Sequence, residues 1–267
     1  MVDNNAVLNY EQSFYLSGIL LSGVTNVDGG YSIQESPINI IGQGYKYPVR
    51  NGNLVGNFNI SRYYIGQDPI LNYTGDHPIS GSINYQDKNF GFTDGYLTEY
   101  SMSAGIGRIP ASNTSIVVYG DIGSGINASG NESHPDIQIP NQGSISLNCE
   151  HYQTNRVTEF SYTLRIDRNP IYKIGSPFPV QVDRQFPIFQ EAAFSLDVNT
   201  AEVRKIQEYL ISPKQQDISI QFNNPINENE IETIEIKKAR LLSQSVNSTS
   251  EDLLTLDLVY NGYINKK

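Results

Sequence analysis

The residues of this sequence best able to do chemistry are three histidines and one cysteine. His77 lies in an Asp-His-Pro turn, and His134 precedes Pro135 in a stretch rich in Gly, Ser and Asn. Neither histidine has a partner at the spacing of a metal site. A single cysteine excludes an internal disulfide and a Cys-rich zinc site. The sequence therefore predicts no metal ligand and no bound cofactor.

Cys149 and His151 are the closest approach to a nucleophile paired with a base. They are two residues apart, and on a strand such residues share only a side of the sheet. No oxyanion-binding or orienting motif accompanies them. A buried or edge cysteine accounts for Cys149 without any reaction, and the chain is predicted not to be an enzyme.

Two further segments have a composition that suggests ligand binding. Residues 120–125 are glycine-rich, but neither Gly-Lys-Ser/Thr nor a helix follows, so a flexible linker is predicted rather than a phosphate loop. An acidic run near the C-terminus lacks the Asp-x-Asp-x-Asp-Gly arrangement of a calcium loop. A solvated hairpin or a charged channel wall is the favoured interpretation of that run, which consists of Glu228, Glu230, Glu232 and Glu235.

The overall charge balance is acidic, with 28 Asp and Glu against 18 Lys and Arg and a net charge of -10. Binding to a nucleic-acid backbone by charge neutralisation needs the opposite sign, so that class is excluded. Passage of DNA along the protein is not excluded. The longest nearly apolar stretch, Phe14–Leu21, is shorter than the ~18 residues of a membrane span. No Lys or Arg precedes it, so no signal peptide is predicted.

The chain contains an internal repeat. A shift of 133 residues aligns 24–42 with 157–175, and seven of the nineteen columns are identical without a gap. Further along, Phe58–Ile60 is aligned with Phe194–Leu196, and Val118–Gly120 with Val259–Asn261. These matches predict a first domain over 1–122, a linker or long loop over 123–144, and a second domain over 145–267.

Each copy is predicted to be mainly β, because apolar and polar residues alternate in many short segments. One short helix is predicted in each copy, beginning at Pro69 after the cap Asp68 in the first and after the cap Asn199 in the second. Tyrosine is abundant in the first copy and indicates either ordinary core positions or a surface buried against other subunits. These tyrosines are Tyr45, Tyr47, Tyr63, Tyr64, Tyr73, Tyr85, Tyr96 and Tyr100.

The sequence resembles structural tail proteins of tailed bacteriophages, most closely the tail tube proteins. The resemblance is one of pattern over both copies. The segments that show it are Ser36–Gly42, Gly56–Arg62, Gln67–Pro69, Gly95–Ser101 and Ile116–Asp121.

This resemblance implies two tandem tube-like β-sandwich or barrel units, each with one flanking helix and a long hairpin. It implies a virion structural protein whose chains form six-unit rings, three chains to a ring, that stack into a tube for DNA passage. Its implied partners are copies of itself and other tail proteins: the baseplate or hub, the tail terminator and, in a contractile tail, the sheath. It implies no catalytic residue, no cofactor and no membrane partner.

Two alternatives stay open at this point. One is a distal-tail or baseplate hub protein that reuses the tube fold, and the other is a carbohydrate-binding β-sandwich adhesin, which the absence of Trp weakens. If the chain forms a tube, we expect its inner wall to be polar and acidic and to consist of 24–42, 157–175, 95–104 and 236–246. We also expect the first copy to supply the more negative part of that wall.

Overall fold

The computed structural model describes residues 12–33, 35–39, 42, 46–50, 53–130, 138–140, 144–149, 152–197, 215–224, 226–227, 229–248 and 254–266. These residues are almost entirely β-structure, as the sequence predicts. Most of the strands belong to one large antiparallel sheet. The alternation seen in the sequence explains it, because side chains at every second position of a strand share one face and bury it together.

Within the described residues the strands fall into two series. The first series is β1 Gln12–Leu16, β2 Ile19–Leu20, β3 Val24–Ser32, β4 Glu35–Asn39, β5 Lys46–Arg50, β6 Val55–Tyr63, the 3₁₀ helix Pro69–Tyr73, β7 Ile79–Tyr85, β8 Lys88–Gly105, β9 Ala111–Val118 and β10 Ile122–Ser124. The second is β11 Ile145–Cys149, β12 Tyr152–Thr154, β13 Val157–Arg165, β14 Arg168–Ile171, β15 Gln181–Arg184, β16 Ile188–Asp197, β17 Gln216–Asn223, β18 Glu230–Asn247 and β19 Thr255–Ile264.

The two series pair their strands in the same order. That order is β2-β1-β7-β8-β9-β6-β3 in the first and β12-β11-β17-β18-β19-β16-β13 in the second, and each series adds a separate hairpin, β4–β5 or β14–β15. The seven shared pairings also keep the same register. The chain therefore contains one strand arrangement twice.

Bulges recur at corresponding places in the two series. The register shifts after Val24 in β3 and after Val157 in β13, which are 157 − 24 = 133 residues apart. It shifts again after Leu97 in β8 and after Leu241 in β18, which are 241 − 97 = 144 residues apart. A bulge bends and twists its strand, so both arrangements share their irregularities as well as their order.

The pairing corrects the alignment proposed near the ends of the two copies. Leu97 faces Ile116 and Leu241 faces Tyr260, so Ile116 corresponds to Tyr260. The sequence alignment of Val118 with Val259 was wrong by three residues. An odd slip turns every side chain of a strand to the other face. Connections of different length in the two copies leave the size of the shift undetermined by sequence alone.

A second correction concerns Phe58, which the sequence alignment matched with Phe194. In the structure Phe58 faces Gly29, and the corresponding pair is Ala192 facing Tyr162. A Cβ on Gly29 would lie 2.4 Å from the Phe58 ring, so the ring requires a glycine there. The large residue of this pair is Phe58, on β6, in the first copy and Tyr162, on β13, in the second. Both are buried.

The first residues of the predicted linker over 123–144 belong to the first sheet. Ile122 to Ser124 form β10 and pair with β8. The backbone N–H of Ala128 then donates to Oγ of Ser82 at 3.0 Å, and Ala128 is buried. The 3₁₀ helix begins at Pro69 after the N-cap Asp68, as predicted, whereas the helix predicted after Asn199 lies outside the described residues.

Candidate assembly surface

Eight strands form a continuous sheet that includes both copies, in the order β3-β6-β9-β8-β13-β16-β19-β18. One face of this sheet carries mostly short polar side chains. Over β8, β13, β16 and β19 that face has a depression of about 420 Å³ lined by Ser103, Ser161, Ser195 and Asp257 among others. We call this the polar face; its hydroxyl and amide residues include Asn26, Asn57, Asn59, Ser61, Ser101, Ser103, Asn113, Ser115, Ser161, Thr163, Ser195, Ser243, Ser245 and Asn247.

The polar face is acidic. Its strand residues include six carboxylates and two arginines: Asp28, Glu99, Glu159, Glu191, Asp197, Asp257, Arg165 and Arg240. Counting arginines as positive and carboxylates as negative, the first copy contributes a charge of 0 − 2 = −2 and the second a charge of 2 − 4 = −2. On this face the two copies therefore carry equal negative charge, since Glu35 and Arg168 lie in the separate hairpins.

Hydrogen bonds between neighbouring strands hold the short side chains of the polar face in place. Asp257 accepts bonds from Ser195 at 2.6 Å, from Ser245 at 3.0 Å and from Asn247 at 3.0 Å. Ser61 donates to Asn113 at 2.7 Å in the first copy. Such residues cannot cover a hydrophobic core, so the face suits contact with water rather than packing.

The two copies join through β8 and β13. These strands pair over Glu99 to Gly105 and Glu159 to Arg165, which makes one sheet of the two. Behind the pairing the rings of Tyr100 and Tyr162 lie 6.4 Å apart, and both side chains are buried. We call this contact the intrachain joint.

A buried polar cluster stabilises the first copy beside this joint. The Asp68 carboxylate accepts from Arg62 at 3.1 Å, from the backbone of Ile70 at 3.0 Å, from Tyr100 at 2.9 Å and from Ser112 at 3.4 Å. Asp68 and Arg62 are almost fully buried. Burial, together with the neighbouring Asp68 charge, raises the pKa of Tyr100 well above its usual value.

Glu232 links this cluster to the second copy. It accepts from the hydroxyl of Tyr64 at 2.8 Å and from the backbone N–H of Asp68 at 3.1 Å. Burial raises the pKa of Glu232 despite these hydrogen bonds. The contact holds β18 of one copy against the loop that precedes the 3₁₀ helix of the other.

The β14–β15 hairpin also crosses the joint, and two arginines attach it to the first copy. Arg168 donates to the carbonyls of Leu97 at 2.9 Å and Gly75 at 2.8 Å, and its guanidinium lies 5.6 Å from the centre of the Tyr96 ring. Arg184 donates to Asp76 at 2.8 Å. Burial lowers the pKa of Arg168 to about 10. The hairpin thus covers a side of the first copy that would otherwise face solvent.

The strands that correspond to those of the intrachain joint are open in this chain. β8 lies between β9 and β13 along its C-terminal half, whereas the matching half of β18 pairs with β19 alone among the described residues. β13 lies between β16 and β8, whereas β3 pairs with β6 alone among them. The sheet therefore ends in two edges that match the two strands already joined at its centre.

Exposure differs sharply between corresponding residues of joined and open strands. Leu164 in β13 is 3% exposed, and Tyr31 at the corresponding position of β3 is 52% exposed. Met102 in β8 is 2% exposed, and its counterpart Val246 in β18 is 46% exposed. The open edges thus present apolar side chains at positions that the intrachain joint buries.

Of the three histidines and the cysteine singled out in the sequence, the structure describes only His77 and Cys149. His77 is exposed in the turn before β7, and His134 and His151 lie outside the described residues. Burial raises the pKa of Cys149 to about 12, which disfavours the thiolate. No group of three or more metal-binding side chains occurs among the residues that the structure describes.

The three described members of the acidic run each have a different neighbour. Glu228 lies outside the described residues, and Glu232 is partly buried against the first copy rather than solvated. Glu230 accepts from Thr233 at 2.8 Å, and Glu235 lies 3.5 Å from Lys237. The solvated-hairpin interpretation was therefore wrong for Glu232.

Comparison with known proteins adds no family to these observations: no protein-family model and no curated protein match the chain. Within the described part of the chain, no helix has the length and apolar character needed to cross a membrane.

Sequence reasoning missed the residues that hold the copies together. Glu232 and Tyr64 are 168 residues apart, and nothing in their neighbourhoods marks them as partners. The signal that was available is a difference between the repeats, because Arg168 stands where the first copy has Glu35. Such a charge change at one position of a duplicated segment marks a contact that the two copies do not share.

Proposed function

We propose that this chain is a structural virion protein without catalytic activity, the subunit of a bacteriophage tail tube. In this proposal three chains form a ring of six units, rings stack into a tube, and viral DNA passes through the lumen. The observation that carries the proposal is the intrachain joint, whose two strands correspond to the two open edges. A contact that a chain makes inside itself can then be repeated between chains.

Repetition of one contact with constant rotation closes a ring or continues as a helix. Open edges with unpaired backbone groups favour strand addition. Each cross-strand pair contributes roughly 0.2–1 kcal/mol, and Tyr31 and Val246 would become covered as their counterparts are in the intrachain joint. Edge pairing thus supplies a driving force for self-assembly.

The polar face suits the wall of a DNA channel. Its hydroxyl and amide side chains are short, and its carboxylates outnumber its arginines six to two. Negative groups repel phosphates, so the genome would pass without adhering. The partners proposed beyond the chain itself are the other tail proteins that cap and nucleate such a tube.

The test is to measure the mass of the purified full chain by light scattering and to image it by negative-stain electron microscopy over several days. We expect rings of three 29.8 kDa chains and stacks of such rings. A preparation that stays monomeric at high concentration and on ageing would overturn the proposal.

A proline in the open edge makes the test specific. In the intrachain joint Ile166 N–H donates to the Thr98 carbonyl at 2.8 Å, so alternate residues of β8 direct their backbone groups to β13. Val246 corresponds to Met102 and directs its N–H to the open edge. Val246→Pro should therefore abolish rings while leaving the chain folded. Val246→Thr keeps the N–H and should still assemble.

A further inference from the structure

We propose that β3 of one chain adds to β18 of the next in the register that places Gly30 opposite Ser245, and that Glu35 of the first chain then pairs with Arg240 of the second. This inference rests on the proposed function, because it names the contact by which the chains of the ring join. We call that contact the interchain joint.

The register follows from the intrachain joint. There Thr163 lies opposite Ser101. The strand pairings relate Thr163 to Gly30 (163 − 133 = 30) and Ser101 to Ser245 (101 + 144 = 245). The same two offsets, applied to the other residue pairs of the intrachain joint, give four more pairs: Asp28 opposite Asn247, Gly29 opposite Val246, Tyr31 opposite Gln244 and Ser32 opposite Ser243.

The side chains accept this register. Gly30 and Ser245 are small, and a Cβ on Gly30 would meet nothing within 4 Å. The Phe58 ring already covers Gly29, so Val246 would lie beside that ring, and Tyr31 would lie beside Gln244. The exposed apolar surface of both edges would be covered at once, as the intrachain joint covers Leu164.

The hairpins carry the second step of the inference. In the intrachain joint Arg168 of the second copy lies over the Tyr96 ring of the first. The corresponding positions are Glu35 in β4 (168 − 133 = 35) and Arg240 in β18 (96 + 144 = 240). Both partners have changed, and the new pair has opposite charges. Glu35 and Arg240 are both exposed in the single chain.

Each residue also has a neighbour within its own chain. Arg240 donates to Oε1 of Gln215 at 2.9 and 3.0 Å, in the amide orientation that satisfies both groups. That acceptor is neutral, so it leaves the charge of Arg240 available. Glu35 faces Arg50 across the β4–β5 register, as Arg168 faces Arg184 in the other hairpin. The experiment must therefore separate the contact between chains from contacts within one.

Disulfide trapping tests the register. Non-hydrogen-bonded pairs of antiparallel strands have Cα atoms about 4.5 Å apart, which suits a disulfide. Gly30→Cys with Ser245→Cys occupies such a pair, and Cys149→Ser removes the native thiol. On mild oxidation we expect covalent dimers and trimers. Gly30→Cys with Ser243→Cys keeps the same face but shifts the register by two residues, and should remain unlinked.

Charge reversal tests the ion pair. Glu35→Arg and Arg240→Glu should each lower the association constant by about fivefold per contact. The double variant should recover assembly, and the effect should weaken at high salt. Recovery separates this pair from Gln215 and Arg50, because a defect within one chain would persist in the double variant.

The outcomes distinguish this inference from the proposed function. Absence of rings in the unmodified chain overturns the proposed function. Rings that link through the shifted cysteine pair overturn the register. Rings in which charge reversal has no effect, or in which the double variant is as weak as the singles, overturn the Glu35–Arg240 contact. Linking at Gly30 and Ser245 with recovery in the double variant supports both parts.

Discussion

Replacement of Asp68 by Asn should destabilise the protein strongly, because this carboxylate is the centre of a buried network. Its side chain is 0% exposed, and that of Arg62, 3.1 Å away, is 3% exposed. Asparagine keeps the shape and the acceptor for the Ile70 N–H. It removes the charge that balances Arg62, whose Nε already has no partner among the described residues.

The size of the effect follows from these contacts. Removing one partner of a buried ion pair costs about 3–5 kcal/mol. Glu232, which hydrogen-bonds the Asp68 backbone, lies near enough to attract Arg62 and compensates in part. The expected cost is therefore at the lower end, about 3 kcal/mol, which is a fall in Tm of roughly 6–12 °C for a chain of this size.

The assay is thermal and urea unfolding followed by near-ultraviolet circular dichroism of the tyrosines. The control is Glu159→Gln, the same acid-to-amide change in an exposed pair whose closest atoms are 3.9 Å apart. It should cost less than about 0.5 kcal/mol. Asp68→Asn combined with Arg62→Met should cost less than the sum of the two single changes, because no buried charge is left unpaired. If Asp68→Asn costs no more than Glu159→Gln, the reasoning is refuted.

Three more predictions can be tested on the purified chain. Burial raises the pKa of Glu232 in the folded chain above its ordinary 4.5. Its contribution to stability is therefore complete below pH 4.5 and is lost as the pH rises through the folded pKa. The stability of the wild type relative to Glu232→Gln should therefore fall in urea titrations as pH rises from 4.5, and a constant difference would contradict the assignment. Asp76→Asn should speed trypsin cleavage of the β14–β15 hairpin, because Asp76 accepts from Arg184 at 2.8 Å, whereas Asp183→Asn on the same hairpin should not. The pKa of Cys149 is raised to about 12 by burial, so Ellman's reagent should react slowly at neutral pH and rapidly in urea, and a fast native reaction would show the thiol to be accessible.

Much of the architecture could be predicted because it depends on local patterns of residues. Alternating side chains predict strands, and the segment at 24–42 repeats at 157–175, where the structure has the same two strands with the same bulge. The Asp68-Pro69 dipeptide predicts a helix start, and Asp68 indeed accepts from the Ile70 N–H. Such signals can be recognised in the sequence because they depend on residues that are close together along the chain.

Alignment further along the chain failed for a physical reason. Side-chain alternation shows which residues share a face, but it does not count the residues in a connection. The offset between the copies grows from 133 at β3 to 144 at β9, so Val118 was matched to Val259 on the wrong face. The exchange of a large residue between Phe58 and Tyr162 also hid the correspondence, since packing constrains the volume of a pair rather than each member.

Local patterns of residues are enough to predict the strands, the duplication and the acidic character of the chain. They do not predict which edges meet, because every edge strand offers the same backbone donors and acceptors, and the choice depends on what packs behind it. The β8–β13 pairing is selected by Tyr100 and Tyr162 at its back and by Glu232 reaching Tyr64 over 168 residues. Those contacts exist only after both copies have folded, so no local pattern in the sequence records them.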